Sequence, residues 1–141
     1  MSYPLSAATP PTTAFAPAST RLWTGRTLTA IAVVFLIFDA TVKLLRLPVA
    51  VDTTVQLGYP AAVAVPLGLL ELALLVVYLT PRAAPLGAIL WTAYLGGAVA
   101  THVRIGNPLF THVLFPTYVA AMLWGGLWLR DTRVRALLKY N

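Results

Sequence analysis

The chain contains no cysteine, has only four acidic residues, and is just 10% charged. Without cysteine there is no dithiol redox centre, no thiolate metal site and no disulfide framework. A soluble domain carries roughly 25% charged residues, so this sequence lacks the polar cover of a water-facing surface. Residues 1–20 carry no charged side chain at all and are rich in Ala, Pro, Ser and Thr. Such a segment buries too little apolar surface to offset its ordering, and a flexible tail is expected over residues 1–25. A signal peptide would open on a positive region, which this segment does not have.

What fills the chain instead is apolar: 59% of its 141 residues are hydrophobic and the mean hydropathy is +0.80. Four predominantly apolar runs stand out, at about residues 27–47, 61–80, 85–103 and 109–129. Each matches the roughly 20 residues that cross ~30 Å of hydrocarbon at 1.5 Å per residue. No amphipathic element is left over to cover four buried helices in a soluble fold, and period-2 alternation is absent. The expected fold is an all-α membrane protein, an antiparallel four-helix transmembrane bundle over residues 26–130 with a basic cytoplasmic tail over 131–141. The connections at Pro81–Ala84 and Arg104–Pro108 are short enough to join antiparallel neighbours. The longer link, Pro48–Pro60, has room for a short interfacial helix, with Pro48 suited to its first position and Gly58 to its C-terminal cap.

The formal net charge of +6 is placed in a way that excludes nucleic acid. Basic residues gather at the ends of spans, and no basic face interleaves with aromatics for phosphate tracking or base stacking. The bilayer itself is the expected partner, since anionic headgroups attract such clusters. With both termini inside, the cytoplasmic face holds Arg21, Arg26, Arg82, Arg130, Arg133, Arg135 and Lys139, against Arg46, Arg104 and Lys43 near the opposite face. The bias favours N-in, C-in. Trp23, Trp128 and Tyr140 then form an aromatic belt on one side, and Tyr59 and Phe110 on the other. Two stripes of small residues, Ala64-Gly68-Glu71 and Ala93-Gly97-Thr101, are expected to let helices approach closely. Pro66 and Pro116 each free a carbonyl one turn earlier, which the protein has to satisfy.

The residues that need explaining are the ionisable ones inside the spans: Asp39, Lys43, Glu71, His102 and His112. A charge at the bilayer centre costs ~2.5–3.5 kcal/mol on insertion scales, so each should face the interior and find a partner. Asp39 and Lys43 are four apart with the acid first, the favourable order for a buried charge pair. Glu71 has no basic residue in its own span and lies near mid-depth. It either pairs with Lys43, whose long stem can reach inward, or stays neutral and hydrogen-bonds Thr101, Tyr94 or a freed carbonyl. His102 and His112 flank the turn Arg104-Ile105-Gly106-Asn107-Pro108 on the outer side. Together the set suggests a polar funnel open outward and ending at Glu71, with Glu71, His112, His102, Thr101 and Tyr94 as candidate ligand-binding residues. Glu71 and His102 differ by roughly 13 Å in nominal depth at 1.5 Å per residue, and no H-E-x-x-H pattern is present. A metal site is therefore not expected.

Several short motifs, taken together, resemble the DoxX-like family of small bacterial membrane proteins. They are Gly68-Leu-Leu-Glu71-Leu, Pro81-Arg82, Tyr94-Leu-Gly-Gly97, Ala100-Thr-His102-Val-Arg104, Gly106-x-Pro108, His112 and Trp124-Gly-Gly-Leu-Trp-Leu-Arg130-Asp131. Asp39 and Lys43 match as well, and the resemblance covers about residues 26–137. It implies four spans. It also implies a link to redox systems, because some relatives are membrane subunits that deliver electrons to quinone and others accompany oxidative-stress enzymes. On that analogy the ligand is quinone-like, and the partner is a soluble or membrane oxidoreductase or a second copy of the chain. Related four-span proteins that exchange disulfides use cysteines, which this chain lacks, and no catalytic residue carries over. Two other readings stay open: a scaffold whose buried charges only fix helix register, and a proton-coupled small-molecule transporter.

Overall fold

The computed structural model describes residues 18–138, and the helices follow the apolar runs. Helix α1 spans Ala18–Leu44 and α2 spans Pro48–Gln56. A 3₁₀ turn at Ala61–Val63 leads into α3 (Ala64–Leu79), and α4 spans Ala84–Arg104. A wide turn at Leu109–Val113 leads into α5 (Phe115–Arg130), and α6 covers Thr132–Leu138. Four of these stretches, Ala18–Leu44, Ala61–Leu79, Ala84–Arg104 and Leu109–Arg130, are long and apolar enough to cross a membrane.

Two expected boundaries move. Helix α1 is already formed at Ala18, the first described residue, so residues 18–25 of the expected tail are helical. A basic residue marks where hydrocarbon ends, not where a helix ends, and nothing between Ala18 and Arg26 breaks one except Gly25, which packs against α5. Residues 132–138 of the expected basic tail form α6. Asp131 starts that helix by accepting the Arg133 backbone N–H at 2.8 Å. The Arg133 guanidinium lies 2.9 Å from the same carboxylate and holds it below the usual carboxylate range. Residues 1–17 of the tail, and Lys139 and Tyr140, lie outside the described residues.

The spans pack in a ring in which α1 meets α5 and α3, and α4 meets α3 and α5. Trp91, Tyr78, Leu36, Leu123 and Leu127 fill the core, each with at most 2% of its surface exposed. In lipid the hydrophobic effect does not hold helices together, so close packing and hydrogen bonds must do it. Gly25 faces Gly126, where a Cβ on Gly25 would lie 2.8 Å from the Leu129 Cβ and 3.0 Å from the Gly126 carbonyl. The Tyr78 hydroxyl donates to the Leu123 carbonyl at 2.8 Å, and the Trp124 indole donates to the Thr92 hydroxyl at 2.8 Å.

Of the two expected small-residue stripes, one packs. Ala64, Gly68 and Glu71 are buried, and a Cβ on Gly68 would approach the Ala40 carbonyl to 3.0 Å. Ala93 and Gly97 do not pack: both are exposed, and a Cβ on Gly97 would meet nothing within 4 Å. Helix α4 uses Ala84, Gly87, Ala88 and Trp91 instead, because the 93–97 face borders a cavity. Pro66 and Pro116 both fall in the first turn of their helices, where the missing N–H has no partner to lose.

Three chain reversals share one geometry. After α1, α2 and α4, the residues Arg46, Gly58 and Gly106 adopt positive φ (52°, 84° and 72°). Each sends its N–H to the carbonyl three residues back, and the next residue bonds five back, as Leu47 does to Val42, Tyr59 to Thr54 and Asn107 to His102. This pattern satisfies the orphan carbonyls of a helix end, and glycine adopts it most readily. Gly58 thus fills the capping role expected of it, while Arg46 holds the same conformation with a Cβ. Arg46→Gly is expected to raise thermal stability in detergent by about 1 kcal/mol, the steric cost removed. An unchanged or lowered unfolding temperature would contradict this.

Candidate functional site

The ionisable groups of three helices meet in one cluster. Lys43 on α1 donates to Asp39 one turn earlier at 2.6 Å, and to Glu71 on α3. Tyr94 on α4 donates to the same Glu71 oxygen, Oε1. Glu71 is fully buried, whereas the side chains of Asp39 and Lys43 keep 34% and 16% of their surface. Helix periodicity explains the meeting: Gly68 lies one turn before Glu71 and lets α1 approach at the level of Lys43. The ammonium, with three donors and no acceptor, therefore serves both carboxylates. Of the partners expected for Glu71, the structure selects Lys43 and Tyr94, not Thr101. The second carboxylate oxygen, Oε2, is shielded and accepts no hydrogen bond from the described residues.

Beside this cluster lies a cavity of about 640 Å³ lined by α1, α2, α3, α4 and α5. Its walls are mostly apolar: Leu36, Val42, Leu67, Leu95 and Val119 contribute, together with Phe35 and Phe115. Those two rings meet edge to face with centroids 5.2 Å apart. The polar groups on the wall are Asp39, Lys43, Thr53, Thr54, Tyr59, Tyr94, Thr101 and His102. The exposed residues Leu70 on α3 and Ala93 and Gly97 on α4 also border it.

The expected site residues divide accordingly. Tyr94, Thr101 and His102 line the cavity; Glu71 and His112 do not. Glu71 lies behind Lys43 and Tyr94, so the expected funnel ends at those two side chains and not at the buried carboxylate. His112 lies in the wide turn before α5, where Val113 and Leu114 bond back to Pro108 and Leu109. Its ring centroid is 5.9 Å from that of His102. The Asn107 amide nitrogen lies 2.7 Å from Nδ1 of His102, so that atom accepts and Nε2 carries the proton of the neutral ring. Among the described residues no three His, Asp or Glu side chains converge as metal ligands would.

Tyr59 was not among the expected site residues; its place in the outer link suggested an interfacial aromatic. The structure turns it inward. Its hydroxyl is 3.0 Å from that of Thr101, and Thr101 in turn donates to the Gly97 carbonyl at 2.9 Å. Arg104 holds this arrangement by donating to the Leu57 carbonyl at 2.8 Å and lying over the Tyr59 ring at 6.0 Å. The signal in the sequence was Gly58: a cap of this type reverses the chain and returns the next residue over the helix end.

These features define an integral membrane protein with a cavity between its spanning helices, polar at one end and apolar along its walls. A model of the DoxX-like family matches residues 27–126, and the chain belongs to that family. No curated protein and no solved structure matches it.

Proposed function

We propose that the cavity binds a small apolar ring bearing hydrogen-bond acceptors, of the quinone type, and that the chain is the membrane subunit of a redox system. The observation that carries this is the pairing of about 640 Å³ of mostly apolar space with the Lys43 ammonium on its wall, whose three N–H groups serve Asp39 and Glu71 and leave one for a ligand. Binding sites for small apolar molecules have this composition, a greasy enclosure with a few placed polar groups. A volume of this size accommodates a substituted ring, and the exposed border residues Leu70, Ala93 and Gly97 mark the side on which one would enter from the lipid phase. Reducing a quinone to a quinol takes two electrons and two protons. No motif for a flavin, haem or iron–sulfur centre is present, so the electrons come from an oxidoreductase partner.

In this reading the helices run antiparallel, supported by the contacts Tyr78–Gly87 and Glu71–Tyr94 along α3 and α4, continued by Tyr59–Thr101 from the link that precedes α3. Both termini face the cytoplasm of a bacterial cell, supported by the arginines at that end of the bundle.

The test is mass spectrometry of the organic extract from protein purified in mild detergent, comparing wild type with Gly97→Phe. Gly97 borders the cavity and a Cβ there meets nothing within 4 Å, so a phenyl group at this position takes up cavity space. Stoichiometric quinone is expected in the wild type, falling about tenfold or more in Gly97→Phe at equal folded yield. Bulk lipid alone in every sample, or undiminished quinone in Gly97→Phe, defeats the reading and favours a scaffold whose charge cluster only fixes helix register.

A further inference from the structure

We infer that Asp39 makes the cavity selective for a ligand bearing a hydroxyl group, so that the reduced, quinol form of a ring binds more tightly than its quinone. This rests on the reading above, that the cavity holds a small ring, and adds which oxidation state it favours.

The starting point is an imbalance between acceptors and donors. In the Lys43 cluster two carboxylates share one ammonium. Glu71 is fully buried, and Lys43 and Tyr94 both donate to its Oε1. Asp39 receives less. Its Oδ2 accepts from Lys43 at 2.6 Å, while Oδ1 accepts no hydrogen bond from the described residues. The Asp39 side chain lines the cavity and keeps a third of its surface exposed. Unlike the shielded Oε2 of Glu71, Oδ1 is an acceptor within reach of a ligand.

The hydroxyl donors on the cavity wall are already engaged. Tyr94 donates to Glu71, Thr53 and Thr54 to the Val49 and Ala50 carbonyls at 2.7 Å, and Thr101 to the Gly97 carbonyl at 2.9 Å. The Tyr59 hydroxyl is paired with that of Thr101. A donor for Oδ1 therefore has to come from the ligand. Beside Oδ1 stands the Lys43 ammonium, with one N–H left after serving the two carboxylates. Because Nζ lies 2.6 Å from Oδ2 of the same carboxylate, this N–H and Oδ1 can both reach one ligand oxygen.

A hydroxyl is donor and acceptor at once, so it accepts from the ammonium while donating to Oδ1. A carbonyl oxygen meets only the first demand. It sets a lone pair against the carboxylate and leaves Oδ1 without a partner. Hydrogen bonds to an ionised acceptor are roughly twice as strong as neutral ones, and a site arranged around a ligand O–H discriminates strongly against an analogue without it. Holding the quinol more tightly also shifts the bound couple toward its reduced form, by the difference between the two affinities. The site then favours electron flow into the ring.

Equilibrium dialysis of the full chain in detergent, against protein-free micelles, would measure binding of duroquinone, of its quinol kept reduced by dithionite, and of the quinol's dimethyl ether. The cysteine-free chain offers the reductant no disulfide to cleave. Asp39→Asn is compared with wild type, and Asp52→Asn, which removes an acid on α2 that does not line the cavity, is the control. The quinol is expected to bind at least about tenfold more tightly than quinone or ether in the wild type and in Asp52→Asn. In Asp39→Asn the preference for quinol over quinone should all but vanish, because an amide donates to a carbonyl as readily as it accepts from a hydroxyl. The ratio carries the answer, since a variant that merely loosens the cavity weakens all three ligands alike. Equal binding of quinol and quinone by the wild type, or a preference that survives in Asp39→Asn, overturns the inference and leaves the ring-binding reading standing. Binding of none of the three ligands overturns both. Should Asp39→Asn fail to fold, quinol and ether on the wild type decide: the ether keeps the oxygens but has no donor, and its binding as tightly as the quinol would defeat the role of Asp39.

Discussion

Lys43→Met is expected to destabilise the folded bundle by about 3 kcal/mol, the order of one uncompensated charge placed at mid-bilayer depth. Lys43 is the shared cation of Asp39 and Glu71, so its removal leaves two carboxylates facing one another with only Tyr94 to donate to Glu71. Asp39 keeps a third of its side-chain surface and can recover partners from the cavity; fully buried Glu71 cannot. The double variant Lys43→Met with Glu71→Gln should therefore be more stable than Lys43→Met alone, although it carries one more substitution. Urea or thermal unfolding in detergent micelles measures both. A double variant that loses the sum of the two single effects would show that Lys43 and Glu71 are not coupled.

Gly87→Ala is expected to abolish the folded state or cost at least about 3 kcal/mol, beyond the usual range for one added methyl group. A Cβ at this position would lie 2.4 Å from the Tyr78 Cα and 2.5 Å from its nitrogen. Those atoms are backbone, so no rotamer change relieves the clash and α3 and α4 would have to separate. Separation also displaces the Tyr78 hydroxyl from the Leu123 carbonyl. The same substitution ten residues along α4 provides the contrast. At Gly97 a methyl group meets nothing within 4 Å, and replacing a helical glycine by alanine there should gain up to about 1 kcal/mol. Folded yield and unfolding temperature of the two variants, measured side by side, decide the matter; equal behaviour would mean that α3 and α4 do not approach as closely as described.

The four spans were legible because an apolar run of bilayer length has few other uses, and Pro48 and Gly58 marked the ends of α2 through their own backbone restrictions. Asp39, Lys43 and Glu71 were legible as a group that must find partners, since charge in lipid demands them. The Asp39–Lys43 pair followed from spacing within one helix, but the choice of Lys43 and Tyr94 over Thr101 for Glu71 did not, because the rotation of separate helices decides it. The small-residue stripes show the same limit. Ala64-Gly68-Glu71 and Ala93-Gly97-Thr101 have equivalent spacing, yet one packs and the other borders the cavity. Gly25 and Gly126, which bring α1 and α5 together, are separated by 100 residues and share no local pattern. Tyr59 was read as an interfacial aromatic because its contact with Thr101 is set by the cap at Gly58 and by Arg104, 45 positions later in the chain.

The placement of the Lys43–Glu71–Tyr94 cluster bears on how the protein assembles. Each of its residues comes from a different spanning helix, and all three helices can enter the bilayer separately before they meet. Insertion is driven by the apolar runs, whereas association depends on a few polar clasps and glycine contacts. A chain with this cluster broken would still be integrated in the membrane and resist extraction at high pH. Its helices would remain loosely associated, and the loops between them would be open to proteases that leave the assembled bundle intact.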